Sequence, residues 1–547
     1  ARSEVRLHER LPKATVIDVD GSHLSTSTGE RHQEEVVMAE IVIGVDGGTT
    51  AVKAVAFNLS GDVVSTRRES VSVTYGDHGE AEQDMNQIWE AVATCIRSVA
   101  DVLDPADDVV AIGLTGQGDG AWLVDEKGTP VRPAAIWLDG RASQRAEQWN
   151  DDGRAVRVFE VTGTKIFGGL FPLLIEELLE TDPQNTRRAA THLNCKDWIR
   201  FKLTGERLTD YTEASRSYLD AATAEGFSFP LAKDLGQTEL LDLLPEIRRS
   251  EEIGGYLTEE ASRRVGLPVG TPVGIGMLDI AVTGVGLGGA AHDGDGWLIL
   301  GTTGFVGTLL PSIHDRRSEE SMLVATGRGT QVLEFMAPMT GTPNLDWIRH
   351  TLGLADESWE TIEARARLSR PGANGVVYLP YASPGGERAP FVDTNASASW
   401  MGMSLTTTPE DVLRSVYEGV ALSLADCVAH LAMTGDLVVS GGGFRSDLVC
   451  EILADVTGQC VVRQSAPEAG ARGAAVLALV SGGRYDTVED ASTAMTCSFE
   501  CFDPHPVRGE IYRAVANVYS DSRSAVCPVW PQMRALRQME ETANVSV

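Results

Sequence analysis

The chain has 547 residues, 43% hydrophobic and 23% charged. That is too long for one core and ordinary for a globular protein of two large domains. Its 46 Lys and Arg stand against 78 Asp and Glu, a formal net charge of −32, which excludes nucleic acid and anionic membrane surfaces as natural partners.

Residues 1–38 are polar and aperiodic and contain no apolar h-region, so they are not a secretory signal. They read as an extension ahead of the first strand, expected to be poorly ordered, with a short helix and hairpin as the alternative. No apolar run approaches a membrane span. The eight Cys are scattered without a CxxC pair, so the expected setting is the reducing cytoplasm.

Residues 41–57 read IVIGVDGGTTAVKAVAF, two β-branched runs around a Gly/Thr turn. Gly47 and Gly48 allow a sharp turn and close approach to a ligand. Their N–H groups, with the hydroxyls of Thr49 and Thr50, can cradle phosphate oxygens. Lys53, on the second run, belongs to the same expected ATP-binding set. Asp46 is a hard oxygen ligand placed where a nucleotide's Mg²⁺ would sit. An ordinary Gly-rich hairpin is the bland alternative. A Walker loop is excluded, because no G-K-[ST] follows.

Apolar positions from Met85 to Val99 recur at spacings of three and four, which predicts a helix over 84–103 with Asp84 as its N-cap. A strand over 109–114 then runs into the polar, Gly-rich loop 115–120. Gln117, Gly118 and Asp119 are candidate substrate contacts there. Trp137, Asp139 and Arg141 alternate along 135–141. On an extended backbone they would form one wall for a polyhydroxylated ligand. Residues 141–252 read as mostly helical. Asp279 is a lone carboxylate among Ile, Met, Leu, Ala and Val at the start of a small-residue helix over 281–290. That suits an N-cap, a catalytic group, or both.

The second half repeats the theme. Gly301, Thr302 and Thr303 turn between two apolar runs, echoing the first Gly/Thr turn. Thr408 and Pro409 open a long helix. Gly441, Gly442 and Gly443, followed by Ser446, form a flat glycine loop ahead of a helix over 447–457, suited to adenine or an α-phosphate. An Ala/Gly-rich helix over 468–481 follows.

These residues resemble the FGGY family of carbohydrate kinases over about 41–540. The family's C-terminal signature is met by 398–418 (ASWMGMSLTTTPEDVLRSVYE), and Gly386-Glu387-Arg388 with Pro390 also fits. The N-terminal signature has no good counterpart in 168–180. The resemblance implies an α/β protein of two ribonuclease-H-like (actin-like ATPase) domains, over 39–292 and 293–547, with ATP and substrate in the cleft between them. It implies Asp279 as general base and Asp46, with Asp279, as the Mg²⁺ site, acting through water. Within the family, TGQGDGAWL and IWLDGRA are most similar to erythritol kinases.

The expected activity is therefore ATP-dependent phosphorylation of a primary hydroxyl of a small polyol, erythritol first. The alternatives are a kinase for a pentulose or another tetritol, or a non-enzymatic ATP-binding protein of the actin or chaperone kind. The expected partners are the polyol and ATP, with a homodimer as the assembly to test.

Overall fold

The computed structural model describes residues 39–288, 296–464, 468–495 and 498–536. The extension 1–38 and the end of the predicted helix over 281–290 lie outside the described residues.

Among the described residues, two seven-stranded sheets carry the fold. At the centre of the first is Glu40–Gly47, whose β-branched run is buried nearly throughout. It pairs antiparallel with Ala51–Asn58 across the Gly/Thr turn, and parallel with Asp108–Gly116 on its other side. Ala51–Asn58 pairs antiparallel with Val63–Ser70. Beyond Asp108–Gly116 come Pro272–Gly274, parallel, and Ile253–Tyr256, antiparallel. The second sheet follows the same plan from Gly296–Leu300. That strand is antiparallel to Gly304–Leu310 and parallel to Leu437–Ser440. Val461–Gln464 is next, parallel, and Phe499–Phe502 closes the edge antiparallel. The echo between the two Gly/Thr turns is thus an echo between whole sheets. This is the two-domain, actin-like α/β fold that the sequence predicts.

Helices form where the sequence signals them. Met85–Ala100 is capped by the Asp84 carboxylate, which accepts from Asn86 N at 2.8 Å. Pro409–His430 opens on a complete capping box between Thr408 and Asp411. Glu468 takes a left-handed φ of 68°, so the last small-residue helix begins one residue later, at Ala469–Ser481.

The mostly helical reading of 141–252 needs correction. Ser143–Asp151, Arg154–Thr162, Phe171–Thr181 and Cys195–Thr204 are helices. The strands Thr191–Leu193, Leu208–Asp210 and Glu246–Arg248 break the segment. They are three residues each, too short to show a period of two.

Two helices of small residues lie between the sheets. Asp279–Gly286 and Ala469–Ser481 pack so closely that a Cβ on Gly286 would stand 2.0 Å from Ala469 O, and one on Gly473 2.0 Å from Val282 O. Ala469–Ser481 also lies on the first sheet. A Cβ on Gly44 or Gly113 would stand 1.9 Å from the carbonyl oxygen of Ala471 or Ala474. A shared core joins Val42, Val55 and Phe57 of the first sheet to Trp297, Val438 and Val462 of the second through these helices. Gly113→Ala should therefore lower stability by about 1–3 kcal/mol through overpacking, read as a lower midpoint of thermal unfolding. An unchanged midpoint would show that the helix can retreat freely from the sheet.

Candidate active site

Three parallel strand ends meet at one edge of the first sheet. Asp46 and Gly47 lie opposite Thr115 and Gly116, which in turn lie opposite Met277 and Leu278. Parallel neighbours stand about 4.8 Å apart. The register therefore brings Asp46, the loop Gln117-Gly118-Asp119 and Asp279 to one place, at the carboxyl ends of the strands where α/β proteins bind ligands. Cross-links hold them: Gln117 N donates to Gly47 O (3.0 Å) and Thr115 Oγ1 to Met277 O (2.8 Å).

Asp279 is the first residue of its helix, and its Oδ1 accepts from Ile280 N at 2.7 Å. Burial, with the Asp46 charge second, raises its carboxyl to about 7. Burial also raises Asp46, against the pull of Lys53. Lys53 itself is held by Glu468 Oε2 at 2.7 Å, a bond from the first hairpin to the residue that opens the interdomain helix. Two neighbouring carboxylates raised in this way, with the nearest ammonium bound elsewhere, fit a hard divalent cation. Among the described residues no group of three or more His, Cys, Asp or Glu could hold a metal. Mg²⁺ suits such a place, because it usually takes one or two carboxylates and completes its shell with water and phosphate oxygens.

On the loop side, Trp137 Nε1 donates to Thr49 Oγ1 (3.0 Å) and Thr49 donates to Gln117 Oε1 (3.0 Å). Gln117 Nε2 donates to Gln83 Oε1 (2.6 Å), and Gln83 Nε2 returns to Thr49 O (2.8 Å). The Thr49 hydroxyl proton is thus committed to Gln117 rather than available to a phosphate, while Thr50 stays exposed.

Asp139 and Arg141 do not form a wall with Trp137. The chain turns after Ile136, whose carbonyl accepts from Asp139 N at 2.8 Å, so the alternation of an extended strand is lost. The Asp139 side chain is 0% exposed. It accepts from Ala81 N and from the backbone and guanidinium of Arg141, and Arg141 also binds Glu82. The pair is a clamp behind the loop, and Trp137, half-buried, stands apart from it.

Gly118 is closely packed. A Cβ there would meet Leu278 Cδ1 at 2.0 Å, so glycine lets the loop lie against the residue before Asp279. Asp119 is paired, its Oδ1 and Oδ2 accepting from Arg216 Nε (2.9 Å) and Nη2 (3.2 Å).

Beneath the site lies a buried set of charges that periodicity did not reveal. Lys196 Nζ binds Asp197 (2.7 Å) and Asp210 (2.9 Å), and Arg200 binds Asp197 (2.9 Å). Arg200 also donates to Ile275 O (3.1 Å), and Thr212, bonded to Asp210, accepts from Leu278 N (2.9 Å). The cluster thereby holds the strand that delivers Asp279. The only local signal is the density of polar residues in Asp210-Tyr211-Thr212-Glu213-Ala214-Ser215-Arg216.

In the second half, Gly301, Thr302 and Thr303 follow Gly296–Leu300 and are open or half-open to solvent. The glycine loop follows the parallel neighbour Leu437–Ser440. Gly442, Gly443 and Ser446 line a cavity of about 630 Å³ with Thr342, Leu345, Trp359 and Tyr417, a size and character that suit a nucleotide base and sugar. Ser446 Oγ caps the following helix and donates to Glu363 at 2.6 Å.

Residues 41–286 match the N-terminal domain, and 296–482 the C-terminal domain, of the FGGY family of carbohydrate kinases. The chain belongs to that family. It is an ATP-dependent sugar or polyol kinase, and the filament or chaperone alternative falls with that membership. The chain is 33% identical to an erythritol kinase of Brucella abortus over 90% of this chain and 98% of that protein. It is 28% identical to a xylulose kinase of Staphylococcus epidermidis over 88% and 96%. In fold it is similar to the xylulose kinase of Lactobacillus acidophilus, with a TM-score of 0.83 at 22% identity, covering 90% of this chain and 100% of that one. It is likewise similar to the glycerol kinase of Plasmodium falciparum solved with ADP, at 0.79 and 18%, covering 89% and 98%.

The buried cluster gives the kinase a direct test. Lys196→Met should cost about 3–5 kcal/mol, because it takes the cation from buried Asp210 and one of two cations from buried Asp197. Chemical denaturation would read this, and a loss below 1 kcal/mol would show that water or rearrangement replaces the ammonium.

Proposed function

We propose that the kinase transfers the γ-phosphoryl group of ATP to a primary hydroxyl of a short open-chain polyol, erythritol first. The observation that carries the reading is the meeting of three strand ends. It sets a carboxyl raised to about 7 beside a second carboxyl and a polar loop. In this reading Asp279 takes the proton of the attacking hydroxyl; a base near neutrality can hold it without being permanently protonated. Gln117 and Trp137 orient the polyol, and Asp119, its charge already directed by Arg216, accepts hydroxyl protons on its remaining lone pairs. Backbone N–H groups around Gly47, Gly48, Thr50, Gly301, Thr302 and Thr303 bind phosphate oxygens, and the glycine loop at 441–443 with Ser446 borders the adenosine. Asp46 and Asp279 would hold Mg²⁺, which would supply charge neutralisation on the transferred group. Residues 39–292 and 293–547 act as the two walls, and their approach excludes water from the acceptor. Similarity to erythritol kinase at 33% identity favours the tetritol, and similarity to xylulose kinase at 28% keeps a pentulose as the second reading.

A coupled ADP assay over tetritols, pentitols, pentuloses and glycerol should show highest kcat/KM for erythritol. Good turnover of a pentulose without erythritol would reverse the order. Asp119→Asn should lower kcat/KM for the polyol by about 1.5–3 kcal/mol with little change in the KM for ATP. Equal weakening of both ligands would remove this loop from the substrate site.

Asp279→Asn should reduce kcat by roughly 10²–10⁴-fold. It should also stabilise the ligand-free protein at pH 8. The folded carboxyl is raised from 3.8 to about 7, so the native state holds a proton the unfolded chain releases. Stability contributed at Asp279 therefore falls as pH rises from about 4 to about 7, and the full cost is present above. Asn removes it, a gain of about 1–3 kcal/mol after allowance for partial exposure. An unfolding midpoint at pH 8 that is equal or lower in the variant would contradict the raised carboxyl.

A further inference from the structure

The segment around the short helix Tyr211–Ala214 touches the loop 117–119 and the strand before Asp279. Thr212 accepts from Leu278 N at 2.9 Å, and Arg216 binds Asp119 at 2.9 Å. Between them stands Glu213, and its Oε2 lies 3.3 Å from where a Cβ on Gly118 would be. Glu213 is 2% exposed, yet neither carboxyl oxygen has a hydrogen-bond partner among the described residues. Its neighbours are fully used. Lys196 is bound to Asp197 and Asp210, Arg200 to Asp197, and Arg216 to Asp119. Two cations and two carboxylates already balance in the cluster beneath, so Glu213 has no countercharge to claim.

A carboxyl buried with both oxygens unmatched is costly, and such a group normally has its partner in water or a ligand. Burial, with Asp197, Asp210 and Asp119 adding to it and Lys196 opposing, pushes this carboxyl well above the usual carboxylate range. In its neutral form it offers one O–H donor and carbonyl acceptor capacity. An alcohol hydroxyl, itself donor and acceptor, matches that pair.

We propose that Glu213 is a specificity-determining residue of the kinase, holding a second hydroxyl of the acceptor, distinct from the one Asp279 deprotonates. The inference rests on the polyol-kinase reading above. It places the third wall of the acceptor site on residues 212–216, opposite Trp137 and Gln117. Position 213 then selects among acceptors that share the reactive hydroxyl and differ at the next carbons.

The test is a cycle of protein and substrate changes. Wild type, Glu213→Gln and Glu213→Leu are assayed with the best acceptor of the panel and with each of its monodeoxy analogues. One analogue should lose about tenfold or more in kcat/KM with wild type, the penalty of leaving a buried polar group unmatched. Glu213→Leu should raise the acceptor KM by about tenfold or more and turn over that analogue and the parent alike. Glu213→Gln, which keeps a donor and an acceptor, should retain most of the discrimination. Glu213→Leu with undiminished discrimination against every analogue would overturn the proposal. If the Leu variant does not fold, infrared difference spectra decide. Acceptor binding should change a carboxyl stretching band in wild type that Glu213→Gln lacks, and spectra without such a band would also overturn it. If wild type ignores tetritols and uses a pentulose, the polyol reading fails, while the same cycle runs on monodeoxy pentuloses and judges Glu213 separately.

Discussion

The two halves of this kinase are held by backbone meeting backbone. Asp279–Gly286 and Ala469–Ser481 pack through glycine and alanine, and the second helix rests on the first sheet at Gly44 and Gly113. Side chains would push these elements apart by an ångström or more, so close approach is available only to residues without them. The consequence reaches the site directly. Asp279 opens the first helix, Glu468 precedes the second, and a Cβ on Gly470 would stand 3.2 Å from Asp46 Oδ2. The Lys53–Glu468 bond spans the same joint. A change in how the halves approach one another must therefore move the Asp46 and Asp279 carboxyls.

A second constraint is the buried charge below the strand that ends in Asp279. Lys196, Asp197, Arg200 and Asp210 are 0% exposed, and such a cluster adds little net stability over a well-packed apolar one. Its value lies in direction. Through Ile275 O and, by way of Thr212, Leu278 N, it fixes the strand that ends in Asp279. The same surroundings push the Glu213 carboxyl above the usual carboxylate range and leave both its oxygens unmatched. A cluster that positions one carboxyl thus prepares another for a neutral ligand.

The strongly acidic chain binds polyanionic ATP without a basic surface. In the proposed reading, Gly/Thr turns after two topologically equivalent strands present N–H groups to the phosphates, and nearby arginines are occupied. Arg367 binds Glu363 and Glu451, and Arg463 binds Asp447 and Glu500. Phosphate recognition by short-range backbone dipoles needs no net positive charge, so the −32 of the chain and its nucleotide chemistry are compatible.

Much of this was legible in the residues themselves. The strand–Gly/Thr turn–strand units, the capped helices at Asp84 and Thr408, and the small-residue helices follow from neighbours within a few positions, and those local rules act before any tertiary contact exists. Asp46 and Asp279 stood out because each is a carboxylate at the end of an apolar run. What the fold alone decided lies across long separations. Asp139 and Arg141 fail as a ligand wall because a turn after Ile136 closes them on Glu82 and Ala81. Gly118 is glycine because Leu278, 160 residues further on, occupies its Cβ position. Glu213 and Arg216 reach the loop at 117–119 from a segment whose polarity carries no period. Which hydroxyls and carboxyls remain free for a ligand depends on partners distant in the chain, so only tertiary structure could settle it.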